Sequence, residues 1–251
     1  MKSILITVVV LYALFSLTFC SLQRKFLYFP QSASDVYGEM NISFVVDDMR
    51  LNGWMLNKGQ PKALIYYGGN AESVEANIPL FEAVLSRYTV YLIPYRGYGN
   101  NAGTPAEQVL YSDAVQIYTM IKDQHDSVSL MGRSLGSGIA TYVAANRQVD
   151  KLILVTPFDS IENVAKDIYW MFPVSLLIKD KFRSSERVKD ITAQTYIFIA
   201  EKDRVIPRAR TDQLIAQFTD QLVEVIVVTG AGHNTISQSS DYVSGLKRAL
   251  D

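Results

Sequence analysis

The chain of 251 residues is 49% hydrophobic and 20% charged, a composition typical of a globular protein that is long enough to bury a substantial core. Its formal net charge of −1 provides no global field that favours nucleic acid. The single cysteine, Cys20, excludes an intrachain disulfide, and the presence of only two histidines disfavours a metal centre built on Cys or His. We therefore expect neither a nucleic-acid partner nor a bound metal.

An uncharged apolar segment follows Lys2 and extends over residues 3–23, where Arg24 and Lys25 end it. As a helix it would be about 30 Å long, the thickness of a bilayer core. We expect residues 1–25 to form an uncleaved membrane anchor, and two alternatives remain open: a signal peptide that is cleaved for export, and a lipoprotein signal that ends at Cys20. Basic residues on both sides leave the orientation of the anchor open.

After a linker at residues 26–42, predicted strands and helices alternate along the chain. We expect strands at 43–46 and 50–57, which form a pair, and at 63–67, 90–93, 128–131, 151–155, 195–200 and 224–228. We expect helices at 71–85, 104–121, 136–146, 207–218 and 237–250. A capping box from Thr104 to Glu107 is expected to start the helix at 104–121.

This alternation predicts an α/β fold for residues 26–251. The central strands are continuous apolar runs, which are typical of a mainly parallel sheet with helices on both faces. One interval departs from the pattern, because the strands at 151–155 and 195–200 are separated by far more than a short helix. We expect residues 158–193 to form a small helical cap over the carboxyl edge of the sheet.

The strand at 128–131 leads into Gly132-Arg133-Ser134-Leu135-Gly136, a G-x-S-x-G pattern followed by a predicted helix. In a nucleophile elbow the serine occupies a strained turn between strand and helix, and close neighbouring chains require small residues on either side. The pattern alone arises by chance in roughly 8% of chains of this length. Its position between a strand and a helix indicates that Ser134 is a nucleophile.

A serine hydroxyl needs an adjacent base, and histidine is suited to this because its side chain titrates near neutral pH. His125 lies in a polar loop before the elbow strand, at the opposite end of the sheet from Ser134. His233 follows the last predicted strand and would reach the same edge as the elbow. We therefore predict that His233 is the base and that His125 is a solvated loop residue.

An orienting carboxylate is the third component of such a site. Asp203 follows the strand before the last one, and the resulting chain order of Ser134, Asp203 and His233 is that of α/β hydrolases rather than of chymotrypsin or subtilisin. Glu201 and Asp159 also follow predicted strands and remain alternatives to Asp203.

The oxyanion of the tetrahedral intermediate needs preorganised donors. The first is expected to be the backbone N–H of Leu135, next to the nucleophile. The second is expected from the turn at residues 68–71, where Asn70 is favoured and Ala71 is an alternative. Since the donor would be a backbone group, the Asn70 side chain is expected to matter little.

Several stretches together resemble one family: KFLYFP at 25–30, YGGNA at 67–71, PYRGYGNNAGT at 94–104, GRSLG at 132–136, TPFDS at 156–160, PVSLLIKDKFRSSER at 173–187, and the segments at 202–207 and 230–234. The chain resembles small α/β-hydrolases with an N-terminal membrane segment, a branch that includes fungal polarity-associated proteins and mammalian depalmitoylating thioesterases. Many relatives have histidine where this chain has Gly68, a change that a backbone donor tolerates. The N-terminal cysteines of the depalmitoylases are missing here, so their substrate does not transfer.

Together these features predict a membrane-anchored serine hydrolase that cleaves a carboxylic ester or thioester and requires no metal or organic cofactor. A lipid-like acyl ester is the expected substrate, in a pocket formed by Gly69, Tyr98, Phe158 and Trp170. A peptidase or amidase on the same fold is the alternative enzyme. A non-catalytic membrane-associated scaffold is the alternative from another class.

Overall fold

A computed structural model describes residues 1–219 and 222–251, and eight strands in these residues form one sheet in the order β1-β2-β4-β3-β5-β6-β7-β8. The strands are β1 (Ile42–Val46), β2 (Met49–Leu56), β3 (Lys62–Tyr67), β4 (Tyr88–Leu92), β5 (Ser127–Arg133), β6 (Lys151–Val155), β7 (Gln194–Ala200) and β8 (Val223–Val228). The helices are α1 (Lys2–Leu27), α2 (Ile78–Val84), α3 (Glu107–Lys122), α4 (Leu135–Asn146), α5 (Ile161–Ile168), α6 (Val174–Leu177), α7 (Arg208–Ile215) and α8 (Ser240–Leu250).

The sheet is mainly parallel, as predicted: the pairs β1–β2 and β2–β4 are antiparallel, and the strands from β4 to β8 pair in parallel. The antiparallel hairpin turns at Asp47 and Asp48, where both residues have positive φ angles of 45° and 61°. Such angles at both central positions belong to the tight turns that match the twist of a hairpin. The strand pair expected from the sequence is therefore confirmed, with Val46 opposite Met49.

Helices cover both faces of the sheet. On one face, Leu110 of α3 and Ile139 of α4 pack in a single apolar cluster with Leu152 of β6. On the other face, Phe81 of α2 and Leu246 of α8 belong to a second cluster. Because both faces are buried, the central strands are apolar along their length rather than alternating, which is the pattern that the sequence displays.

Two predicted helix starts differ from the structure. The helix expected at 71–85 is a 3₁₀ turn at Val74–Asn77 followed by the shorter α2. The capping box at Thr104 does not form, because α3 begins at Glu107 and no side chain of its own N-cap residue closes it. The N–H of Glu107 donates instead to Oδ1 of Asp180 at 3.2 Å, a residue distant in sequence that local pattern analysis does not detect.

Helix α1 packs against the segment between β6 and β7, which contains α5 and α6. The guanidinium of Arg24 pairs with the carboxylate of Asp180 through two hydrogen bonds of 2.8 and 3.1 Å. Among the described residues, no single helix combines the length and the apolar composition of a membrane span. Two segments of α1, Lys2–Ser16 and Cys20–Leu27, meet at 45° and satisfy those criteria only as a pair.

Candidate active site

Ser134 lies in the sharp turn between β5 and α4. Its φ of 49° and ψ of −116° are unfavourable for a residue with a side chain, and such strain persists only where the surroundings enforce it. The N–H of Ser134 donates to the carbonyl oxygen of Val155, the last residue of β6, at 2.9 Å. This geometry presents the serine at the carboxyl edge of the sheet.

The two glycines of the pattern are required by close approach of other atoms. A Cβ on Gly132 would lie 2.7 Å from Cβ of Ala140 in α4. A Cβ on Gly136 would overlap the carbonyl oxygen of Tyr67 at the end of β3. Both positions therefore require glycine because neighbouring atoms occupy the space that a side chain would need.

Ser134, His233 and Asp203 form one continuous chain of hydrogen bonds. Nε2 of His233 lies 3.1 Å from Oγ of Ser134, and Nδ1 of the same ring lies 2.8 Å from Oδ2 of Asp203. Asp203 follows β7 and His233 follows β8, so the carboxyl ends of three parallel strands bring together residues that are far apart in sequence. This arrangement can deprotonate a serine hydroxyl and orient the imidazole that does so.

The carboxylate of Asp203 is fixed by three donors. In addition to His233, the backbone N–H groups of Val205 and Ile206 donate to its Oδ1 at 2.8 and 2.9 Å. Burial raises the pKa of Asp203, but the hydrogen bonds from His233 and from the two backbone groups outweigh burial, and the net pKa is lowered from its ordinary value. The carboxylate therefore remains ionised at neutral pH.

The alternative acid and base residues are engaged elsewhere. Glu201 accepts the N–H of Gly230 at 2.7 Å, which joins the loops after β7 and β8. Asp159 accepts from the N–H of Ser160 at the start of α5 and also pairs with a nearby arginine. His125 lies at the other end of the sheet, where its ring contacts Tyr91 Oη at 2.8 Å, so it is a hydrogen-bonded residue rather than the solvated one we expected.

The turn after β3 lies against the elbow, since a Cβ on Gly69 would be 3.7 Å from Cβ of Ser134. The N–H of Gly69 donates to the carboxylate of Glu72 and is therefore occupied. Asn70 and Ala71 remain as the turn residues whose N–H groups are candidates for the oxyanion site, opposite the N–H of Leu135 at the start of α4.

Comparisons with known proteins agree on one fold. No family model matches the chain. An uncharacterized protein of Mycobacterium tuberculosis, Rv2307c, is 32% identical over 230 residues, covering 85% of this chain and 81% of that protein. The Pyrococcus furiosus esterase Pf2001 superposes with a TM-score of 0.70 at 17% identity, over 90% of this chain and 99% of the esterase. A meta-cleavage product hydrolase of Pseudomonas fluorescens gives a TM-score of 0.65 at 17% identity, over 84% of this chain and 97% of that one.

This chain belongs to one family with the Mycobacterium tuberculosis protein, and it has the α/β-hydrolase fold that was expected. The lysophosphatidylserine lipase ABHD12 of Macaca fascicularis is 33% identical over 167 residues, which cover 57% of this chain and 42% of the lipase. The chain thus matches less than half of that lipase's length.

The side chain of Asn70 makes tertiary contacts that the sequence did not indicate. Its Nδ2 donates to the carbonyl oxygen of Leu27 at 2.5 Å, and its Oδ1 accepts the N–H of Phe29 at 3.0 Å and the hydroxyl of Tyr98 at 2.8 Å. These three contacts tie the candidate oxyanion turn to the end of α1 and to the loop after β4. Replacement of the side chain would release the turn even though the expected donor is a backbone group.

A buried ion pair behind the site was also missed. Glu72 accepts from Arg133 at 3.3 Å and from the hydroxyl of Tyr66 at 2.7 Å, while Arg133 donates to the carbonyl oxygen of His233 at 3.2 Å. The pair therefore connects the turn after β3, the elbow and the loop that carries the histidine. The sequence shows a charged residue, Arg133, within the elbow pattern, but nothing in the sequence indicates that it pairs with Glu72.

Gly68, the position at which the resemblance led us to note a departure, is closely surrounded in the structure. A Cβ at this position would lie 2.5 Å from Cγ1 of Val74, which real Cβ atoms do not tolerate without a shift. The absence of a Cβ at Gly68 therefore leaves the space that the side chain of Val74 occupies.

The four residues expected to form the pocket have different surroundings. Gly69 lies beside Ser134, and Tyr98 is buried against Asn70. Phe158 is fully buried in the core, while Trp170 is 78% exposed. An apolar cavity does lie near the expected region, but it is lined by other residues of α1, α5 and α6. Within residues 1–219 and 222–251, no group of three or more His, Cys, Asp or Glu side chains is placed to hold a metal ion.

Proposed function

We propose that this protein is a serine hydrolase that cleaves a carboxylic ester or thioester, with Ser134 as nucleophile, His233 as base and Asp203 as orienting carboxylate. The observation that carries the proposal is the pair of contacts at 3.1 and 2.8 Å that links the three side chains through one imidazole ring. The scaffold alternative is disfavoured because a protein without catalysis has no need of this alignment.

In the first half of the reaction, Oγ of Ser134 attacks the carbonyl carbon while Nε2 of His233 accepts its proton. The bond to the leaving oxygen or sulfur then breaks, and the leaving group takes that proton and departs as an alcohol or thiol. In the second half, water attacks the acyl-enzyme and gives a proton to the same nitrogen. The bond to Oγ breaks, the proton returns to Oγ, and a carboxylic acid is released.

The backbone N–H groups of Leu135 and Asn70 would hold the negative oxygen in both tetrahedral intermediates. Leu135 is the first residue of α4, where N–H groups have no partner in the helix and the helix dipole favours negative charge. Preorganised donors of this kind contribute about 3 kcal/mol each to stabilisation of the transition state.

Ester chemistry is favoured over amide chemistry by the names of the relatives, which are a lysophosphatidylserine lipase and an esterase. A peptidase on the same fold is an outcome of the test below. The proposed organisation is a hydrolase domain at 26–251 with a cap at 158–193, preceded by a membrane anchor at 1–25.

Membrane association is supported by two apolar surfaces. In α1, Ile4 is 70% exposed and Phe15 is 60% exposed. In the proposed cap, Trp170 is 78% exposed and Leu176 is 85% exposed. Isolated exposed apolar residues are common, but contiguous ones indicate an interaction surface. We place the enzyme at a membrane on this basis.

The decisive test is covalent labelling by a fluorophosphonate probe together with hydrolysis of p-nitrophenyl butyrate and of aminoacyl anilides. Wild-type protein should be labelled and should cleave the ester, Ser134→Ala should do neither, and Ser112→Ala on the surface of α3 should behave as wild type. Labelling that persists in Ser134→Ala would refute the proposed nucleophile. Cleavage of the anilides but not of the ester would favour the peptidase.

A further inference from the structure

A cavity of about 170 Å³ lies between α1 and the two helices that follow β6. The last turns of α1 form one wall, and α5 and α6 form the other. Its lining is almost entirely aliphatic and aromatic, and includes Phe26, Leu27, Ile161, Ala165 and Leu177 beside the amide of Gln23. A cavity of this chemistry excludes charged ligands and accepts hydrocarbon, because a buried charge without a partner is costly.

The one amide in the lining, Gln23, presents no unsatisfied polar group to the cavity. Its Nε2 donates to the carbonyl oxygen of Leu177 at 2.9 Å, and its Oε1 accepts the N–H of Lys179 at 2.6 Å. Together with the Arg24–Asp180 pair, these bonds fasten α1 to the segment beside α6. These polar contacts hold α1 against the segment beside α6, so that α1 forms one wall of the apolar cavity.

The cavity adjoins the candidate active site at two points. Leu27 lines it, and the carbonyl oxygen of Leu27 accepts from the side chain of Asn70 in the oxyanion turn. On the other side, the cavity is lined by Ile161, the first residue of α5. Helix α5 follows β6, and Val155 at the end of β6 accepts the N–H of Ser134. The lining is thus connected to the turn at residues 68–71, which lies against Ser134, through the contact between Leu27 and Asn70.

We propose that this cavity is the acyl-chain site, and that α1 is a wall of the substrate pocket in addition to any role as an anchor. The inference rests on the proposed serine hydrolase function and deepens it, because it names a substrate with an unbranched apolar acyl chain. The carbonyl would lie between Ser134 and Asn70, and the hydrocarbon would extend between α1 and α5.

Filling the cavity tests this assignment. Ala165→Trp places a large ring inside the lining, whereas Leu176→Trp, at an 85% exposed position on α6, serves as the matched control. For Ala165→Trp we expect kcat/KM for p-nitrophenyl octanoate, relative to kcat/KM for the acetate, to fall by about tenfold or more. Leu176→Trp should retain the wild-type preference for chain length.

A second variant tests the wall contributed by α1. Phe26→Ala enlarges the cavity, so kcat/KM for the laurate relative to the octanoate should rise. If both Ala165→Trp and Phe26→Ala leave the chain-length profile unchanged while acetate is still hydrolysed, the acyl-chain site is wrong and the proposed function stands.

Binding without turnover separates the two proposals completely. A fluorescent fatty acid should bind to Ser134→Ala, and this binding should weaken by about tenfold when Ala165→Trp is added. Loss of this binding difference would overturn the acyl-chain site. Failure of wild-type protein to label with fluorophosphonate, with the binding difference intact, would overturn the catalytic proposal and leave the apolar site.

Discussion

The guanidinium of Arg133 donates a hydrogen bond to the carbonyl oxygen of His233 at 3.2 Å. The same guanidinium pairs with Glu72, which in turn accepts the N–H of Gly69. Both partners of the ion pair are largely buried, with side-chain exposures of 15% and 11%. One arginine thus connects the loop that carries His233 with Glu72 and, through it, with the turn at residues 68–71.

Replacement of Arg133 by methionine should lower kcat by about tenfold, equivalent to about 1.4 kcal/mol in the activation free energy, and should change KM little. The reason is that His233 loses a backbone anchor and Glu72 keeps a buried charge without its partner. Steady-state kinetics with a short-chain p-nitrophenyl ester provides the measurement. Arg248→Met, which removes an exposed ion pair with Glu224, is the matched control and should leave kcat unchanged.

Substitution of Asp203 by asparagine should lower kcat by about 10⁴-fold, because an amide no longer holds the imidazole tautomer that accepts the proton of Ser134. Glu201→Gln should have little effect, since Glu201 only accepts the N–H of Gly230. Equal losses in the two variants would contradict the assignment of Asp203.

The fit between Gly68 and Val74 should appear as coupling between mutations. Gly68→Ala should destabilise the fold by about 1–3 kcal/mol, because its Cβ meets Cγ1 of Val74 at 2.5 Å. In the double variant with Val74→Ala, the loss in unfolding free energy should be smaller than the sum of the two single losses, as urea denaturation can measure. Additive losses would show that the contact is not the cause.

Glu162 should make stability depend on acid pH. Burial raises its pKa, but hydrogen bonds from Ser175, Arg183 and Lys166 outweigh burial and lower the pKa to about 2. Because this value lies below that of the unfolded chain, near 4.3, the carboxylate stabilises the fold above about pH 5 and loses this effect as pH falls toward 2. The Tm of Glu162→Gln should therefore decline less between pH 5 and pH 3 than that of wild type.

The matched control for this titration is Glu186→Gln. Glu186 also pairs with Arg183, but its side chain is 64% exposed and the pair is solvated. Its Tm profile against pH should follow wild type, and a flattened profile in this variant would assign the acid sensitivity to Glu186 rather than to Glu162.

Much of the fold was predictable because it depends on local patterns. The apolar runs at β5, β6 and β7 mark buried parallel strands, and the positions of Ser134, Asp203 and His233 after successive strands predict that they share one edge. The contacts among these three side chains agree with that prediction.

What the sequence did not predict depends on contacts between distant segments. The start of α3 is set by Asp180, which lies far along the chain from Glu107, so the local capping box at Thr104 was misleading. The partners of Asn70 and the pairing of Glu72 with Arg133 are likewise tertiary contacts. The hydrophobic periodicity of a sequence does not indicate which loop a side chain contacts after folding.

The end of α1 at Leu27 has a practical consequence for preparing the enzyme. A shortened protein that begins at residue 26, the boundary suggested by the apolar run, would be cut inside this helix and would lack Gln23 and Arg24. Asp180 would lose its arginine, and the hydrocarbon-lined cavity would open on one side. Rates measured on such a fragment would understate the turnover of long-chain substrates. Purification of the whole chain in detergent or in nanodiscs keeps the helix that lines the cavity.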